Sequence, residues 1–118
     1  MRQFRRSDRL GEQILRDISE VTQTELRDDF PAMITYTHVR LSGDLRYATV
    51  FYSVLGDEKT REAVVEALAR NARKLRGLVG KRLHVRRIPE FHFKFDPSIE
   101  EGMKIEKLLN QVRTDDHE

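Results

Sequence analysis

Residues 70–95 read RNARKLRGLVGKRLHVRRIPEFHFKF, and the fold turns on how this run changes period. Up to Val79 the apolar residues recur at helical spacing: Val64, Ala67, Leu68, Ala72, Leu75, Leu78 and Val79 make one face. Gly80 is a natural helix terminator. Beyond it Leu83 and Val85 begin a strand, and Phe91, Phe93 and Phe95 continue it on the same parity. Ile88 falls on the other parity, so a bulge near Arg86-Arg87 or at Pro89 is expected to reset the phase. Asn71 sits within the apolar stripe of a helix that would be long for so small a domain. A kink is therefore expected near Asn71-Ala72.

The residues on either side complete one α+β domain. Ser7 or Asp8 is suited to cap a first helix, whose stripe is Leu10, Ile14, Ile18 and Val21, with Arg9, Arg16 and Arg27 on the opposite face. Pro31 ends it. Ile34–Leu41 and Leu45–Leu55 are rich in β-branched and aromatic residues and flank the turn residues Ser42-Gly43-Asp44, which predicts an antiparallel hairpin. Asp57, Glu58 and Glu62 suit the start of the second helix. After Asp96-Pro97, Ser98-Ile99-Glu100-Glu101 has the form of a capping box. The expectation is a single domain over 1–118: a core over about 7–97, a C-terminal helix over about 98–113, and an acidic frayed end at 114–118.

Composition narrows the function classes. Of 118 residues none is cysteine, which excludes disulfides, thiol nucleophiles and cysteine-based metal sites. No apolar run approaches a membrane span, and the basic start lacks the apolar stretch of a secretory signal, so a cytoplasmic protein is expected. His38, His84, His92 and His117 are dispersed, and no phosphate-binding loop or catalytic triad motif is present. Neither a catalytic residue, a metal nor a cofactor is expected. Same-parity Phe91, Phe93 and Phe95 are better read as core than as a base-stacking platform.

Charge placement is the strongest functional signal. Lys and Arg number 22 against 20 Asp and Glu, a net charge of +2. Eight of those cations, Arg70, Arg73, Lys74, Arg76, Lys81, Arg82, Arg86 and Arg87, lie in one stretch without a single acid. The remaining 14 face all 20 acids, so the rest of the chain is net −6. Six of the eight are Arg, whose planar fork of donors matches phosphate. An array of this kind suits a polyanion. Arg2, Arg5, Arg6 and Arg9 form a weaker second cluster. Gly77-Leu78-Val79-Gly80 spells the GxxG of nucleic-acid-clamping loops, but Leu78 and Val79 extend the apolar stripe, so the helix-end reading is preferred.

Together these segments resemble the ribosome-binding factor A family. The resemblance rests on Arg5-Arg6-Ser7-Asp8-Arg9-Leu10 with Glu12-Gln13-Ile14 and Ile18-Ser19-Glu20, on the hairpin, and on Leu78-Val79-Gly80-Lys81-Arg82-Leu83. It continues through Ile88-Pro89-Glu90-Phe91, Phe93, Phe95-Asp96 and Ser98 to Glu101-Gly102-Met103, in order, spanning about Arg5 to Val112. It implies a KH-like domain of the type II arrangement, α-β-β-α-kink-α-β, with an Ala-x-Gly kink in place of an exposed GxxG loop. That kink aligns with Asn71-Ala72-Arg73, where neither the Ala nor the Gly is in register. The resemblance further implies a cytoplasmic, monomeric assembly factor, associated with cold adaptation, that binds the small (30S) ribosomal subunit and its 16S rRNA precursor late in maturation. Such a factor supports 5′-end processing and, in some bacteria, is released with the help of a GTPase. The expected RNA-binding residues are the eight of the basic stretch with Arg5, Arg6 and Arg9. The alternative is an adaptor whose basic face docks an acidic protein; an enzyme is not expected.

Overall fold

A computed structural model describes residues 6–98, 101 and 105–109. Helix α1 (Arg6–Thr24) buries Ile14, Ile18 and Val21 completely, as its stripe predicts. It already includes Ser7 and Asp8, so neither stands before it as a cap, and it ends short of Arg27, which belongs to a single 3-10 turn at Arg27–Asp29. Strand β1 (Thr35–Leu41) pairs antiparallel with β2 (Tyr47–Ser53). The hairpin expected from the sequence forms, with strands somewhat shorter than their apolar runs.

A bulge does occur in the sheet, but in β1. The register shifts between Tyr36 and His38, which lets Tyr36 and Val39 both face the core despite an odd spacing. Helix α2 (Glu58–Arg82) opens on Asp57, whose carboxylate accepts the Thr60 N–H at 2.8 Å. It then carries the chain across to β3 (Glu90–Phe95), which lies parallel to β2. A parallel neighbour demands such a crossover. The strand order is β1-β2-β3, so β2 is central.

Both helices cover one face of this sheet. Ala48, Val50 and Tyr52 point into the core from β2, and opposite them in register stand Phe91, Phe93 and Phe95. Phe91 is buried and the other two pack half-buried against the core, with the Arg61 guanidinium 5.0 Å over the Phe95 ring. The phenylalanines are therefore core, as expected.

Three expectations need correction. The segment expected to divide into two helices at a kink over Asn71-Ala72-Arg73 is a single helix from Glu58 to Arg82. Asn71 needs no break, because its Nδ2 donates to the Ala67 carbonyl one turn earlier at 2.9 Å. The third strand begins at Glu90 rather than Leu83, and residues 83–89 are an irregular connector without a strand bulge. The reason lies in the partner strand: Tyr47 at the start of β2 pairs with Glu90, whose N–H meets the Arg46 carbonyl at 2.8 Å, so earlier residues have no ladder to join. Finally, Gly80 does not end α2, which runs on to Arg82; Gly77 to Gly80 lie inside it with Val79 fully buried, so, as expected, no GxxG loop is presented. Of the expected C-terminal helix over 98–113, residues 98, 101 and 105–109 are described and helical; the rest of it and the acidic end at 114–118 lie outside the described residues. The order α-β-β-α-β is otherwise the mixed α+β arrangement expected.

Candidate nucleic-acid interface

The connector between α2 and β3 is folded back against the helix that precedes it. Leu83 caps α2, its N–H meeting the Val79 carbonyl at 3.2 Å. Arg76 then reaches across, donating from Nε to the Pro89 carbonyl at 3.0 Å and from Nη2 to the Ile88 carbonyl at 2.7 Å. Gly80 permits this close return, since a Cβ there would stand 3.1 Å from Ile88 Cγ1. The consequence is that Arg86 and Arg87 are held at the apex of the connector, both exposed.

Two basic grooves meet at this apex. The first, about 800 Å³, lies between the start of α1, the β1–β2 turn and the connector; Arg6, Arg9, Arg46, Arg86 and Arg87 line it, together with Arg82, which is also tied to acids of the first helix and the turn after it. The second, about 780 Å³, runs along α2 and is lined by Arg73, Arg76 and Lys81 on one side and again by Arg86 and Arg87. Among the described residues, the single acid lining either groove is Asp44. Its carboxylate accepts from the Ser42 hydroxyl at 2.7 Å and the Arg46 N–H at 3.1 Å, which hold its pKa below the usual value.

The residues expected from sequence thus fall into distinct groups. Arg73, Lys81, Arg86, Arg87, Arg6 and Arg9 line the grooves and make no hydrogen bond or ion pair among the described residues. Arg76 lines the second groove but is committed to the connector's backbone. Lys74 pairs with Asp29 at 3.7 Å, and Arg82 with Glu20 at 3.1 Å and Glu25 at 3.6 Å, so these cations join α2 to α1 and the turn after it. Arg70 is exposed on α2 but lines neither groove. Arg5 lies outside the described residues. Sequence reasoning missed Arg46, an isolated cation after the hairpin turn that only the fold carries to the others. Among the described residues no cluster of ligating side chains could hold a metal, and no helix is long and apolar enough to cross a membrane.

The family model for ribosome-binding factor A matches residues 6–109. This chain belongs to the ribosome-binding factor A family. Among solved structures it resembles the crystal structure of ribosome-binding factor A from Thermus thermophilus, at 30% identity over 75% of this chain and 93% of that one, with a TM-score of 0.64. It also resembles the solution structure of a putative ribosome binding factor A from Thermotoga maritima, at 33% identity over 80% and 90%, with a TM-score of 0.67. A third neighbour is the Thermus thermophilus factor as a homology model fitted into the cryo-EM map of a 30S complex, at 25% identity over 77% and 96%, TM-score 0.63. The groove arginines therefore sit on the fold of a ribosome-binding factor family, within the matched span.

Proposed function

We propose that this protein binds the small ribosomal subunit through phosphates of its 16S rRNA precursor, late in maturation, without catalysis. The observation that carries the reading is the meeting of Arg6 and Arg9, Arg46, and Arg86 and Arg87 around one groove, although they come from three separate parts of the sequence. Arg6, Arg9, Arg86 and Arg87 have no side-chain partner among the described residues, and Arg46 has only an exposed, long ion pair with Asp44 at 3.9 Å, so their charge is available to a polyanion, and guanidinium forks match phosphate oxygens. Family membership and the 30S complex of the Thermus relative point the same way.

The mechanism is occupancy. Phosphate contacts position the protein by charge and shape, and a protein that binds one rRNA conformer better than another shifts the population toward it. Holding such a conformer supports processing of the 5′ end, and release, aided by a ribosome-assembly GTPase, follows when the preferred conformer is gone. The protein acts as a cytoplasmic monomer in this scheme.

Co-sedimentation with purified small subunits tests it. Arg86→Glu with Arg87→Glu is expected to abolish association, whereas Arg70→Glu, which lies outside both grooves, weakens it much less. Arg76→Glu is a poor probe, since it also releases the connector. Wild-type association by the double variant would refute the reading.

A further inference from the structure

Phosphate binding alone explains the rim of the first groove but not its floor. Between the arginines lie Leu10, Leu45, Leu83 and Val85, with the ring of His84 beside them. Such a lining offers a phosphate nothing, yet Val85 remains 39% exposed. The volume of about 800 Å³ also falls in the range, roughly 300–1,000 Å³, of sites that enclose organic ligands.

Leu45 supplies an independent observation. Its φ is +61°, the only positive value at a non-glycine position among the described residues. Glycine or asparagine adopts this left-handed backbone at lower cost, so an unbranched turn would not select leucine. The strained position places an apolar side chain in the groove wall. Strain of this kind gathers at binding sites, where the surrounding structure holds it.

An occupant must therefore combine negative charge with an apolar surface. Duplex RNA stacks its base faces inward and presents phosphates, 2′-hydroxyls and base edges, with no apolar base face exposed along its length. Unpaired nucleotides present phosphate and an exposed base face together, and base faces stack on imidazole and guanidinium planes as well as resting on apolar side chains. We propose that this groove is a subsite for a short run of unpaired nucleotides in single-stranded RNA. The bases lie on the floor of Leu10, Leu45, Leu83 and Val85, and the phosphates meet the rim arginines. The proposal rests on the rRNA-binding reading above and names the form of RNA that this groove takes.

Fluorescence anisotropy with the full chain, at one fixed salt concentration, tests it with three labelled RNAs. These are an unstructured single strand, an abasic strand of the same length, and a hairpin duplex with the same number of phosphates. The intact single strand is expected to bind about tenfold more tightly than the abasic strand or the duplex. Leu45→Gly, which suits the backbone, and Val85→Ser should each reduce that preference to about threefold or less while melting as folded proteins. Equal binding of intact and abasic strands would overturn the proposal, as would both variants keeping the full preference. Displacement of the single strand by polyglutamate as readily as by unlabelled RNA of equal charge would overturn it too, pointing to an acidic peptide. If the preference is absent while small-subunit association still requires Arg86 and Arg87, only the nucleotide subsite fails. If neither RNA nor subunits bind, the rRNA-binding reading fails with it.

Discussion

Gly11 sets how closely α1 approaches the sheet. A Cβ there would stand 2.9 Å from the Val39 carbonyl oxygen, which is backbone and has little room to move. Gly11→Ala is therefore expected to destabilise the domain by about 1–3 kcal/mol, despite alanine's better helix propensity, and a denaturant midpoint measures this. Arg76 plays the corresponding part at the connector. Arg76→Ala frees the Ile88 and Pro89 carbonyls, and faster amide exchange over residues 83–90 is the expected outcome. Tyr36 gives a third residue-level signature. Burial pushes its pKa up to about 12, against a hydrogen bond with Thr22 at 2.8 Å that works the other way. The folded state thus holds the phenolic proton more tightly than the unfolded state, whose tyrosine titrates near 10. Stability is intact below about pH 10 and is lost as the pH rises toward 12. Tyr52 is shifted in the same direction by burial. Tyr36→Phe should flatten this alkaline decline in pH-dependent melting curves.

At the scale of elements, α1, the hairpin and the phenylalanine strand were legible in the sequence because each has one buried face with a single period. Ile14, Ile18 and Val21, or Phe91 against Ala48, need no tertiary information beyond the existence of a core. The stretch between Gly80 and Pro89 was not legible. Leu83 and Val85 alternate as strand residues do, yet Leu83 is spent closing α2, and β2 begins too late to pair with either. Asn71 misled for a similar reason: polarity inside an apolar stripe implies a break only when the side chain lacks a partner, and the Ala67 carbonyl supplies one. That bond shares a carbonyl in the body of α2, so it adds little. Asn71→Ala is accordingly expected to stabilise the domain by about 0.5 kcal/mol through helix propensity, read as a slightly higher melting temperature. At the other end of the helix, Asp57 has a lowered pKa because the Thr60 N–H and hydroxyl bond its carboxylate. A depressed carboxylate stabilises above its unfolded pKa of 3.8 and loses that contribution as pH falls through the lower folded value. Asp57→Asn should remove this part of the acid dependence while still capping the helix.

For the molecule as a whole, a net charge of +2 conceals a division of labour among its cations. The basic stretch was legible as a polyanion-binding feature because it contains no acids over 18 residues, from Arg70 to Arg87. Which of its members are available was not legible, because the acids that occupy Lys74 and Arg82 come from α1 and the turn after it. Nor was Arg46, which joins the interface only through the hairpin's placement beside α1. The fold thus reassigns part of the stretch to holding the helices together and recruits cations from elsewhere around Arg86 and Arg87. The central claim is that these groove arginines bind rRNA phosphates. It is tested most directly by the affinity for purified small subunits measured across a series of salt concentrations. Wild-type affinity should fall steeply and linearly on logarithmic axes, and Arg86→Gln with Arg87→Gln, which removes the two charges without reversing them and leaves measurable binding, should flatten the slope by about two, roughly one for each phosphate no longer neutralised. An affinity insensitive to salt, or an unchanged slope in the double variant, would contradict the account.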